Sequence, residues 1–226
     1  MHATINVRRT VGVTKMSKRE QQKQQRRQHI IQIAKDLFLE HGVQNIQMQD
    51  VADASGVGIA TIFRYFPKKE FLVIAASNTI TNDMATDIEQ IVAQTIPAYE
   101  KIKQILEYYI SGTKDPNLRL AKFFESFDLH EKIATESSTE QYAEYFFARR
   151  KLAGILFTLA DYGKQDGSLR QDINLDLFIM TMVQNFSLFT FKSSLTTHDP
   201  NLSQLLSTDK QLELMKDVFL SYIRPQ

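Results

Sequence analysis

Apolar residues recur along most of this chain at helical spacing. Ile30, Ile33, Ala34, Leu37 and Phe38 fall at i, i+3, i+4, i+7 and i+8, one face of a helix predicted from about Gln24 to His41. Gly42 follows it, the residue expected where a helix ends in a left-handed turn. A short helix is predicted over Met48–Ser55 with Val51 and Ala52 inward, then Gly56-Val57-Gly58, then a second short helix from Ile59 to Phe66, stopped by Pro67. Longer helices follow, from Lys68 or Lys69 to about Gln94 and from Ala98 to Ser111. Pro116 suits the first position of another helix, to about Leu129. Next come Glu140 to about Gln165, Leu175 to about Ser194 with Asn174 as its cap, and Thr208 or Asp209 to Tyr222. No internal repeat and no useful strand-like alternation appears, so the fold class expected is all-α.

Composition supports this. Only 8 Gly and 5 Pro occur in 226 residues, too few for the turns of an all-β protein. The absence of Cys excludes disulfide scaffolds, thiolate zinc sites and Cys nucleophiles. No apolar run approaches the ~18 residues of a membrane span, and the basic N-terminus lacks an apolar signal segment, so a cytoplasmic protein without membrane contact is expected. Met16, followed by Ser-Lys-Arg-Glu, is as good a start as Met1.

Charge is distributed unevenly. Residues 1–70 carry 12 basic and 6 acidic side chains, whereas residues 71–226 carry 15 and 20. A basic segment on an acidic body suits an anionic partner for that segment, or else a solvated charged tail. Three parts are expected: a basic arm over 1–22, a domain of short helices over 23–70, and a helical body over 71–226. Arg8, Arg9, Lys15, Lys18 and Arg19 of the arm, with Lys23, Arg26 and Arg27 just beyond it, can follow a phosphate backbone or enter a minor groove.

The informative stretch is Gln47 to Phe66. Two short helices crossing steeply need a small residue at the crossing, which Ala52 supplies, and a positive φ in the turn, which Gly56 tolerates. Val51, Val57 and Ile62 close a small core beneath. This is a helix-turn-helix, whose second helix can enter a major groove; a plain helical hairpin shares the spacing.

In register with these residues, Gly42-Val43, Asp50-Val51-Ala52, Ser55-Gly56-Val57 and Thr61-Ile62-Phe63-Arg64-Tyr65-Phe66-Pro67-Lys68-Lys69-Glu70 make residues 26–75 resemble the DNA-binding domain of the tetracycline-repressor family. Gly167-Ser168-Leu169-Arg170-Gln171-Asp172 looks like that family's turn into its dimerisation helix. The resemblance implies a homodimeric repressor on double-stranded operator DNA, released by a small-molecule effector. It implies roles for Gln49 at a base edge or a phosphate, for Ala60 and Thr61 at the bases, for Ile59 at a thymine methyl or the groove edge, and for Lys69 at a phosphate. Phe63 stands where the family usually has Tyr, which removes one phosphate hydrogen bond. Tyr65 replaces the usual His, and Arg64 is either a phosphate clamp or surface. Ile62 and Phe66 are assigned to the core.

In the body, aromatics on successive helices suit a pocket for a mainly apolar effector. The candidates are Tyr109, Phe123, Phe127, Tyr145, Phe146, Gln184, Asn185 and Phe186. The last two helices are apolar on more than one side, which suits a bundle on one side and a second subunit on the other.

Catalysis finds little support. Ser126, Asp128 and His130 cannot form a triad on one helix, because Asp128 faces away at ~100° per residue. The H-E-x-x-H, P-loop and G-x-S-x-G motifs are absent. No catalytic residue, metal site or cofactor is expected. The alternative function class is a helical interaction module without sequence-specific DNA binding.

Overall fold

The computed structural model describes residues 17–112, 123, 140–192 and 208–225. Among these the regular structure is helical: α1 (Lys18–His41), a 3-10 turn (Val43–Asn45), α2 (Met48–Ser55), α3 (Ile59–Tyr65), α4 (Lys69–Val92), α5 (Ala98–Gly112), α6 (Glu140–Asp166), α7 (Leu175–Lys192) and α8 (Thr208–Ile223). The helix expected from Pro116 lies outside the described residues, apart from Phe123.

α1 begins six residues before the expected Gln24. The Ser17 hydroxyl accepts the Glu20 N–H at 3.2 Å, and the Glu20 carboxylate accepts the Ser17 N–H at 2.9 Å. This reciprocal capping box satisfies amides that a bare helix start leaves open. It also holds the Glu20 carboxyl below its usual pKa. Between α2 and α3, Gly56 takes φ +66° and ψ 30°, the left-handed conformation a side chain resists.

Two apolar cores stack along α4. The first unites Ile30, Ala34 and Phe38 of α1, Val51 and Ala52 of α2, Ile62 of α3, Phe66 beyond it, and Leu72 to Ile80 of α4. Phe123 belongs to this core, its ring 6.4 Å from Phe38. The second core packs Ile88 of α4 with α5, α6, α7 and α8. On α7 the buried stripe is Leu175, Ile179, Met182, Val183 and Phe186, while Leu177, Thr181 and Gln184 face outward. Met84 packs against both cores.

The α6–α7 turn is tied to the start of α5. The Ala98 N–H donates to Asp166 Oδ2 at 2.8 Å, and the Tyr99 N–H to Ser168 Oγ at 3.1 Å. Gly163 permits this approach: a Cβ there would lie 2.2 Å from Leu169 Cδ1 and 3.0 Å from Ala98 Cβ.

Candidate nucleic-acid interface

α3 is short, and its position comes from what it buries. Ile62 and Phe66 anchor it in the first core. Gly58 begins it, its carbonyl accepting the Thr61 N–H at 2.7 Å. The opposite face is left open: Ala60, Phe63 and Arg64 are exposed, while Ile59, Thr61 and Tyr65 are half-buried.

The start of α2 sits beside that face. The Asp50 carboxylate accepts the Gln47 N–H at 2.6 Å and so fixes the first turn. A concave surface of about 490 Å³ results, lined by Gln44, Ile46, Gln47, Met48, Gln49, Ile59, Phe63 and Lys69. It brings together four of the residues expected from the sequence: Gln49, Ile59, Phe63 and Lys69. Ala60, Thr61, Arg64 and Tyr65 lie on α3 outside this hollow. Gln44, Gln47 and Met48 were not foreseen; the start of the Met48 helix was legible, and residues just ahead of it are the signal that could have found them.

Neighbours hold several of these side chains. The Gln49 amide donates to Asp53 Oδ1 at 2.8 Å. The Arg64 guanidinium lies 5.7 Å from the centre of the Tyr65 ring, within cation–π range. Lys69 opens α4 on the edge of the hollow. Burial lowers its pKa, while Glu70 and Asp50 act in the opposite sense. Of the basic arm residues described, Lys18, Arg19, Lys23 and Arg26 are exposed. Arg27 turns inward instead, its guanidinium 5.3 Å from the centre of the Phe66 ring and 3.5 Å from Glu144.

The body residues expected at an effector pocket are dispersed. Tyr109 and Phe186 are buried in the second core. Phe123 is buried in the first core. Phe146, Gln184 and Asn185 are exposed, with the Asn185 amide donating to the Thr181 carbonyl at 2.7 Å. Phe127 and the side chain of Tyr145 lie outside the described residues. A cleft of about 640 Å³ opens elsewhere, between α1, α4 and α6, with Arg27, Ile31, Asn78, Asn82, Glu144 and Phe147 in its walls. Among the described residues no helix is long and apolar enough to cross a membrane.

Comparison with known proteins agrees with this geometry. Residues 30–76 match the family model described as bacterial regulatory proteins, tetR family. An HTH-type transcriptional regulator of Staphylococcus aureus (strain bovine RF122 / ET3-1) is 36% identical over 84 residues, 37% of this chain and 45% of that protein. The chain thus aligns with about half the length of that relative. The HTH-type transcriptional repressor KstR2 of Rhodococcus jostii is 25% identical over 155 residues, 67% of this chain and 72% of that protein. Among solved structures, a putative transcriptional regulator from Saccharomonospora viridis in complex with choline superposes with a TM-score of 0.67 at 16% identity, covering 90% of this chain and all of that one. That likeness shows a shared all-helical fold. The resemblance read from Gly42 to Glu70 is borne out: residues 30–76 are similar to the tetR family of bacterial regulatory proteins.

Proposed function

We propose that this protein is a DNA-binding transcriptional regulator, a homodimeric repressor that leaves a pseudo-palindromic operator when a small, mainly apolar effector binds its body. The observation that carries the proposal is the open face of α3 beside the hollow that gathers Gln49, Ile59, Phe63 and Lys69. An exposed Phe63 with a lysine and glutamines around it is poorly explained as plain surface, and it suits a groove lined by bases and phosphates. The reading includes no catalytic step, and it places the protein in the cytoplasm with the chromosome.

Two further features support it. Leu214, Val218 and Tyr222 recur at four-residue spacing on α8, and all are exposed, as is Leu177 on α7. Such a stripe suits a second copy of the chain, and a two-fold dimer sets half-sites roughly 34 Å apart. α4 runs for 24 residues, about 36 Å, from the α3 side to the body. An effector that fits one arrangement of the body better than another shifts α3 by that difference in affinity, and operator DNA must weaken effector binding by the same factor.

The test is fluorescence anisotropy with DNA from upstream of the gene, over a range of salt. Thr61→Ala is expected to weaken the specific site by roughly 1–3 kcal/mol. Lys69→Ala is expected to weaken all sequences alike and to lower the salt slope by about one. Unchanged binding by Thr61→Ala refutes the role given to α3. Failure of every fragment to compete better than random DNA favours the helical interaction module.

A further inference from the structure

We infer that Arg27 is a positioning residue that couples the body to α3 by a route separate from α4. Its side chain is about one-third exposed and makes two contacts of different kinds. Its guanidinium lies over the ring of Phe66, the buried residue that closes α3. Its Nη2 pairs at 3.5 Å with Glu144 near the start of α6, 117 residues away. A helix of the body, a residue of α1 and the end of α3 therefore form one chain of contacts.

The surroundings decide how that chain behaves. The cleft between α1, α4 and α6 has Arg27 and Glu144 in its walls, and no described α6 residue belongs to the first core. By contrast, α1 and the first half of α4 share one core, reinforced by Lys35 and Asp83 at 3.1 Å, and move together. A displacement of α6 over the α1–α4 unit slides it along α4, on which it packs, and strains the polar Arg27–Glu144 contact. Breaking it frees the guanidinium to leave the Phe66 ring, and α3 loses a restraint on its last turn. Arginine suits the role because one planar group can stack on a ring and bond a carboxylate at its edge. A lysine reaches the carboxylate and loses the stacking.

The consequence for operator affinity rests on the proposed DNA binding; the coupling itself does not. Hydrogen–deuterium exchange on the full chain reads the coupling without DNA. Glu144→Gln, an exposed change on α6, is expected to speed exchange across residues 59–66 by about threefold or more, and Arg27→Met by at least as much, while Asp83→Asn leaves that segment unchanged. Arg27→Lys should fall between. The double variant Arg27→Met/Glu144→Gln should match Arg27→Met alone, as expected for residues acting in series. Unchanged exchange in Glu144→Gln overturns the inference. In operator titrations, Glu144→Gln is expected to weaken affinity several-fold with the salt slope preserved. A slope lowered by about one in Arg27→Met would make Arg27 a phosphate contact and also overturns it. An exchange response in a protein that binds no operator supports the coupling and refutes the DNA-binding reading.

Discussion

Two glycines on α6 should respond to the same substitution with opposite signs. Gly154 and Gly163 both lie inside the helix, where Gly is worse than Ala by ~1 kcal/mol because it orders more backbone without a side chain to pack. A Cβ at Gly154 meets nothing within 4 Å, so Gly154→Ala should stabilise the protein by about that amount. A Cβ at Gly163 meets Leu169 Cδ1 at 2.2 Å, Leu169 Cγ at 2.6 Å and Ala98 Cβ at 3.0 Å. Leu169 is buried and cannot rotate into solvent, so overpacking of roughly 1–3 kcal/mol opposes the helix gain. Gly163→Ala should therefore be neutral to about 2 kcal/mol destabilising. At ~2–4 °C per kcal/mol for a chain of this size, the two variants should melt several degrees apart. Urea unfolding of both, and of Gly163→Ala in a Leu169→Ala background, checks the argument. Removing the Leu169 side chain should turn Gly163→Ala stabilising, a coupling of about 1–3 kcal/mol. Equal gains at 154 and 163 would refute the close approach of α6 to Leu169 and the start of α5.

Other expectations follow from the same physical reasoning. Asp166 is desolvated, which raises its pKa, yet hydrogen bonds from Ser168 and the Ala98 N–H outweigh that and leave it below the usual carboxylate value. A depressed pKa means its contribution is present above the unfolded value of about 3.9 and is lost as pH falls through the folded value. Asp166→Ala should thus cost about 1 kcal/mol at neutral pH, as for a lost helix cap, and the gap to the parent should close in acid below the usual Asp range, as read by urea unfolding. Val218→Asp places a charge in the exposed α8 stripe and should give monomers in sedimentation where the parent sediments as a dimer; a dimeric variant would remove α8 from the interface. Ser17→Ala should fray the first turns of α1, costing about 1 kcal/mol, seen as faster amide exchange confined to residues near 18–22.

Much of the α1–α4 geometry was legible because its determinants are local. Ala52, Gly56 and Pro67 are punctuation whose meaning does not depend on distant residues, and α2 starts and ends where the pattern placed it. The start of α1 was legible too, but in the Ser17…Glu20 spacing rather than in the apolar stripe, which begins only at Ile30. Side-chain destinations set by distant partners were not. Arg27 reads as one of a run of cations, and its inward turn depends on Glu144. Phe123 reads as body, yet it packs on Phe38 of α1. On α7 the apolar breadth was plain, but which stripe faces the protein's own core was decided by α5, α6 and α8. Helical spacing alone cannot choose between Phe186, which is buried, and Gln184 two residues before it, which is exposed.

The seam between the two cores also bears on how such chains recombine. Leu72 to Ile80 cover Ile30, Phe38 and Phe66, and Met84 touches both cores. A crossover at Pro67, between the helix-turn-helix and the body, would hand the first core to a foreign α4 that must reproduce the packing of six core residues, Leu72 to Ala76 and Ile80. A crossover after Met84 transfers the helix-turn-helix with its own lid and asks the new body to match Phe123, the Glu144 partner of Arg27 and one adaptable methionine side chain. Natural or engineered shuffling of binding specificities should therefore break within α4, in the middle of a continuous helix, and not in the loop where the chain looks divisible.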